Sequence, residues 1–141
     1  MTAPKRFKLA APKPTEQDRL GQIVDYLRHE QARGRVAWFA RINGGGMFDR
    51  TGRFLRFYLL HLAGKPLAGK GKADLEGQLP DGRYFALEVK RPGEKPTPEQ
   101  VAFLTTVRSN NGLAAVIVDY DEAQMALFGV GNENQNNANR T

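Results

Sequence analysis

The chain has 141 residues, a formal net charge of +6 and no cysteine, a size that fits one domain around one core. Disulfides and cysteine-ligated zinc or iron–sulfur sites are thereby excluded, and two histidines, His29 and His61, are too few for a histidine-rich metal cluster. The opening MTAPKRFKLAAPKP lacks the apolar run of a signal peptide, and nothing approaches the roughly 18 apolar residues of a membrane span, so a cytoplasmic protein without membrane association is expected.

Residues 1–14 hold three prolines and little periodicity and read as a loose basic arm, either touching phosphates or disordered. A first helix is expected from about Glu16 to Glu30, with Thr15 as N-cap and Leu20, Ile23, Val24 and Leu27 as its apolar stripe. Glu16 extends that stripe at the first turn. Its carboxylate is either favoured by the helix N-terminus or aimed at an interior site. Asp18, Arg19, Asp25 and Arg28 read as a solvated face.

Val36 to Ile42 reads as a strand, apolar on both faces until Arg41. The Asn43-Gly44-Gly45-Gly46 break lacks the Gly-Lys-Ser/Thr ending of a P-loop, and no GxGxxG follows, so no nucleotide cofactor is expected. In MFDRTGRFLRFYLLHL (47–62), Thr51-Gly52 suggests a bend before a strand or short helix near Phe54. Arg50, Arg53 and Arg56 alternate there with Phe54, Phe57 and Tyr58. Either they contact phosphates and stack on bases, or the aromatics are core and the arginines solvated. His61 reads as structural, and Ala63 to Lys72 as a Gly- and Lys-containing loop.

Leu79-Pro80-Asp81-Gly82-Arg83 fits a type I turn followed by a left-handed glycine, which fixes the register of a hairpin. Pairing Leu79 with Arg83 sets Asp74 opposite Glu88 and Glu76 opposite Ala86. Asp74, Glu88 and Lys90 then share one face, and Phe85, Leu87 and Val89 the other. A two-residue Asp-Gly turn would slip the register and separate the carboxylates. Thr97-Pro98-Glu99-Gln100 opens the next helix with an N-cap, a proline at N1 and a capping-box glutamine. Gln100 also falls at the spacing of the inward residues Phe103, Leu104 and Val107, so it serves the cap, the interior, or both. Leu113 to Val118 reads as a buried strand, Asp121 as the cap of a short last helix, and residues 131–141 as a disordered Asn-rich tail. The order implies an α/β fold with a mixed sheet flanked by helices.

Charge is unevenly spread. Residues 28–72 carry ten basic against two acidic side chains, and residues from 73 onward six basic against ten acidic. A basic first half joined to a carboxylate-bearing second half suits a polyanion whose reactive group must reach metal ions; solubility is the other account. Two carboxylates on one face can hold Mg²⁺ or Mn²⁺ through hard oxygens, with the Val89 carbonyl as a further donor. Lys90 would reach the same water or phosphate. A solvent-facing hairpin with Glu/Lys pairs is the plainer alternative.

Taken together, these motifs resemble the VRR-NUC family of the PD-(D/E)xK nuclease superfamily. Gly71-Lys72-Ala73-Asp74-Leu75-Glu76-Gly77 is similar to its G-x-x-D-[LI]-x-G stretch, and Phe85 to Pro92 (FALEVKRP) to its E-x-K strand with a following basic-proline pair. Thr97 to Gln100 resembles its T-x-x-Q helix opening, Glu16 the glutamate of its first helix, and Arg41-Ile42-Asn43 its arginine-bearing strand end. Ala73 stands where the superfamily usually has proline, which shapes the entrance to the site and supplies no ligand. The resemblance covers roughly Thr15 to Phe128. It implies a restriction-endonuclease-like core and a Mg²⁺- or Mn²⁺-dependent DNA endonuclease, structure-selective for branched, flap or four-way DNA. Asp74, Glu88 and the Val89 carbonyl would bind metal, with Glu16 and Gln100 supporting the site and Lys90 catalytic. Arg41, Arg50, Arg53, Arg56, Lys70, Lys72 and Arg91 are the expected DNA contacts. Small stand-alone members resemble phage-type enzymes and Holliday-junction resolvases, which implies a homodimer. A non-catalytic nucleic-acid-binding module, or a nicking or RNA-directed nuclease, is the alternative.

Overall fold

The computed structural model describes residues 10–129, so residues 1–9 of the expected arm and the expected tail lie outside the described residues. In chain order the elements are α1 (Glu16–Ala32), β1 (Trp38–Arg41), β2 (Gly46–Phe48), β3 (Phe54–Arg56), β4 (Leu59–Leu62), β5 (Lys65–Ala68), β6 (Leu75–Gln78), β7 (Tyr84–Val89), α2 (Pro98–Ser109), β8 (Leu113–Ile117) and α3 (Tyr120–Phe128). No helix among the described residues is long and apolar enough to cross a membrane.

The β6–β7 hairpin sets the frame. Gly82 adopts φ +93°, a conformation that side chains disfavour, and its N–H donates to the Leu79 carbonyl at 2.9 Å. The Leu79 N–H donates in turn to the Arg83 carbonyl at 2.9 Å, and the ladder runs Gln78↔Tyr84, Gly77↔Phe85, Glu76↔Ala86, Leu75↔Leu87. Continued by one step, this register sets Asp74 opposite Glu88, as the three-residue turn requires. Antiparallel β1 extends the sheet beyond β6, and parallel β8 extends it beyond β7, giving the mixed order β1-β6-β7-β8.

Alternation along β7 then builds two layers. Phe85, Leu87 and Val89 join Leu75, Leu79 and Ile117 in a core covered by Leu20, Ile23 and Leu27 of α1 and Ala123 and Leu127 of α3. The opposite face carries Ala73 and Ala86, covered by Phe103, Leu104 and Val107 of α2 with Leu60 and Leu62 of β4 beside them. Each fully buried aliphatic or Phe side chain contributes about 1.5–3 kcal/mol. A one-residue slip of β7 would turn all of its apolar side chains onto the wrong layer, so burial enforces the register the turn selects.

Several expectations are corrected. Residues 63–72 are not all loop, because Lys65–Ala68 pairs with Leu59–Leu62 as a second small hairpin. Residues 46–56 form a third, β2 against β3, which excludes a helix near Phe54, and its aromatics are exposed rather than core. The last helix is capped by Asp119, not Asp121: the Asp119 side chain accepts from the Glu122 N–H at 2.9 Å. Arg19 is not on a free face, since its Nη1 donates to the Val118 carbonyl at 3.0 Å. β1 is an edge strand with Trp38 exposed, whereas β8, the other edge, sends Leu113, Ala115 and Ile117 to one core layer and Ala114 and Val116 to the other, as expected of a buried strand.

Gly77 lies where two backbones and a ring converge, and a Cβ there would run into the Phe85 ring and the Trp38 carbonyl. Gly77→Ala is expected to lower stability by about 1–3 kcal/mol through overpacking, read as a reduced urea midpoint at unchanged slope. A wild-type midpoint would contradict the packing described.

Candidate functional site

Asp74 immediately precedes β6, beside the end of β1, and its carbonyl accepts the Ile42 N–H at 2.8 Å. Its side chain then does what a backbone carbonyl would do in a longer strand, accepting the Val89 N–H on Oδ2 at 2.8 Å. In a strand the N–H and C=O of one residue turn to the same neighbour, so the Val89 carbonyl is on the Asp74 side too. On the other edge, the Lys90 N–H donates to the Ile117 carbonyl at 2.9 Å. The end of β7 is thereby pinned from both sides.

Glu88 is 2% exposed. Its Oε1 accepts from Gln100 Nε2 at 2.6 Å and lies 3.2 Å from Lys90 Nζ, while its Oε2 is buried without a partner. Gln100 does two things at once. Its Oε1 accepts the Thr97 N–H at 2.8 Å in the capping box, which aims its amide nitrogen at Glu88. Burial pushes the Glu88 carboxyl up to about 7, with the charge of Asp74 adding to it and the Lys90 bond opposing it. Burial alone would lower the Lys90 ammonium, but its bond to Glu88 and the charges of Glu88, Glu16 and Glu94 outweigh that, so its pKa is raised.

Asp74, Gln100 and Thr97 open onto a cleft of about 410 Å³, whose other walls include Ile42, Gly44, Tyr58, Gly69, Lys70 and Lys72. Burial raises the Tyr58 phenol, with the charge of Glu88 adding to it against a hydrogen bond from the Lys72 backbone. Glu16 sits in the first turn of α1 and is felt electrostatically at Lys90. Among the described residues no three His, Cys, Asp or Glu side chains converge, so Glu16 does not complete a three-carboxylate cluster. Two carboxylates with a backbone oxygen suit Mg²⁺, which keeps several waters and takes its remaining oxygens from substrate phosphate. The buried, partnerless Glu88 Oε2 beside a second carboxylate fits a cation in that role.

The expected DNA contacts fall into two groups. Arg50, Arg53 and Arg56 of the β2–β3 region and Lys70 have no ion-pair partner among the described residues, and Arg41 donates only to the neutral Gln17 at 2.8 Å. Lys72 is held by Glu76 at 2.7 Å, and Arg91 by Glu94 at 3.3 Å. Sequence reasoning named Tyr58 as a stacking or core aromatic, not as a wall of this cleft, and it missed the pairing of Glu76 with Tyr84. The Tyr84 hydroxyl donates to Glu76 at 2.7 Å, a diagonal cross-strand contact that the register itself would have revealed. No protein-family model matches the chain, and no curated protein matches it.

The raised Glu88 pKa has a signed consequence. An unfolded chain ionises this group near 4.5, and the folded chain only near 7. Glu88 therefore contributes stability that is complete below about 4.5 and lost as pH rises through about 7. Between about pH 5 and about pH 7.5, wild type is expected to lose stability relative to Glu88→Gln, seen as converging or crossing urea midpoints. Parallel profiles would contradict a raised Glu88.

Proposed function

We propose that the chain is a Mg²⁺- or Mn²⁺-dependent DNA endonuclease that hydrolyses phosphodiester bonds at Asp74, Glu88 and Lys90, beside the cleft that Asp74 and Gln100 line. The observation that carries this reading is the Glu88 carboxylate, buried against the charge of Asp74 with one oxygen partnerless. The linked motifs shared with the VRR-NUC family, and the basic side chains along the cleft, support it.

Asp74, Glu88 and the Val89 carbonyl would hold the metal, which when bound supplies a Lewis acid for the phosphoryl oxygens and lowers the pKa of water. Gln100 fixes Glu88 through Oε1 and leaves Oε2 for that task. Lys90 acts as a cation rather than a base: its raised pKa keeps it protonated at neutral pH, ready to donate to a phosphoryl oxygen as negative charge grows there. Attack by water on phosphorus, in line with the leaving oxygen, needs the phosphate held still. Arg41, Arg50, Arg53, Arg56 and Lys70 would hold the flanking phosphates. A module that only binds nucleic acid gains nothing from a buried carboxylate beside a half-buried one, a pair that repels phosphate.

The test is cleavage of linear, flap and four-way DNA by wild type, Asp74→Ala and Lys90→Ala, with and without Mg²⁺ or Mn²⁺. Wild type is expected to cut only with metal, and each variant to lose on the order of 100-fold or more. Metal-independent cleavage, or variants as active as wild type, would overturn the proposal.

A further inference from the structure

The β2–β3 hairpin has no core on either face. Phe48 is 70% exposed, and Met47, Phe54, Leu55 and the following Phe57 are exposed as well. A lone two-stranded hairpin is marginal in water, and a contiguous apolar surface of this kind marks something that docks. The register sets Phe48 opposite Phe54, with Met47 and Leu55 on the other face. The two rings meet edge to face, centroids 5.2 Å apart at 61°, and the Arg56 guanidinium stands 5.5 Å from the Phe54 centroid. This makes a platform of π surface and cation.

The platform leads to the cleft. The Phe57 N–H donates to the Gly45 carbonyl at 3.0 Å, next to Gly44 on the cleft wall. Arg56 lies against Gly69 on the same wall, where a Cβ would stand 3.3 Å from Nη1. Arg50 and Arg53 bracket the turn. Asp49, the hairpin's one acid, is engaged by the Thr51 and Arg53 backbone N–H groups at 2.8 and 3.0 Å, so it neutralises none of these arginines through an ion pair.

We infer that the β2–β3 hairpin is a stacking platform for unpaired bases of single-stranded DNA, which lie on Phe48 and Phe54 while Arg50, Arg53 and Arg56 hold the phosphates. Charge selects this occupant: three unpaired arginines interleaved with exposed rings suit a chain that offers anions and flat aromatic faces together. Duplex DNA offers the same phosphates but hides its base faces in the stack, so the rings discriminate between the two. The inference rests on the nuclease reading for the identity of the polyanion. It adds that unpaired bases are gripped beside the scissile phosphate.

The test uses the full chain in EDTA with a single-stranded oligodeoxynucleotide carrying 2-aminopurine, and a duplex of equal length. Binding is expected to change the 2-aminopurine fluorescence and to favour the single strand. Phe48→Leu with Phe54→Leu keeps apolar bulk but removes the π faces, and is expected to weaken single-strand binding on the order of tenfold or more with duplex binding unmoved. Phe48→Tyr with Phe54→Tyr is expected to bind as wild type. Single-strand affinity unchanged in the Leu pair, or no fluorescence change, would overturn the inference. So would a two-chain sedimentation mass that Phe48→Ser with Phe54→Ser reduces to one chain while DNA affinity stays the same, which would assign the hairpin to a second copy. Because the assay is metal-free, loss of the nuclease reading alone would leave a fluorescence change that still supports the platform.

Discussion

Glu88 carries a carboxylate into the interior, where ionising it is costly, and the elements around it are arranged to hold it there. Burial and the charge of Asp74 favour its protonated form; Lys90 at 3.2 Å favours the charged one. Gln100 adds a neutral hydrogen bond that itself depends on the capping box of α2. The site is thus tied to three separate constraints: the β6–β7 register, the parallel pairing of β7 with β8, and the start of α2. Loss of any one would take a contact away from a buried carboxylate that Lys90 alone then holds, a more serious defect than loss of a surface ion pair.

The hairpin and the α2 start were legible in the sequence because their signals are local and redundant. Pro80-Asp81-Gly82 specifies the turn, the apolar alternation of Phe85, Leu87 and Val89 specifies the same register, and four residues from Thr97 agree on one helix start. Of residues 46–68, only the Thr51-Gly52 bend and a strand or helix beginning near Phe54 were legible. Their strands are three or four residues long, too short for a period to emerge. The β4–β5 turn places Ala63 at φ 49° and Gly64 at φ 74°, and alanine there gives none of the signal that Asn-Gly would. Arg19 shows a different limit: its helix position reads as solvent-facing, and only the fold brings the Val118 carbonyl to it.

Electrostatics divide the basic residues by role. Arg33 and Arg35 flank the buried Glu30 at 3.2 and 3.1 Å, and Lys72 is tied to Glu76, so those cations hold the protein together. Arg50, Arg53 and Arg56 have no such partner, and the hairpin that carries them borders the cleft into which Asp74 and Gln100 open. A polyanion approaching this side would meet free cations first and the carboxylate pair last. The carboxylates then need a counter-charge of their own, which is the role given to the divalent ion.

That role is tested most directly by calorimetric titration of Mn²⁺ into the DNA-free protein at about pH 6, in buffers of different ionisation enthalpy. At that pH a Glu88 carboxyl with a pKa of about 7 is largely protonated, so a metal that binds it must displace the proton. Binding with buffer-dependent heat in wild type, and loss of both in Glu88→Gln, is the expected result. Equal Mn²⁺ affinity and equal proton release in the two proteins would contradict a metal site at Glu88.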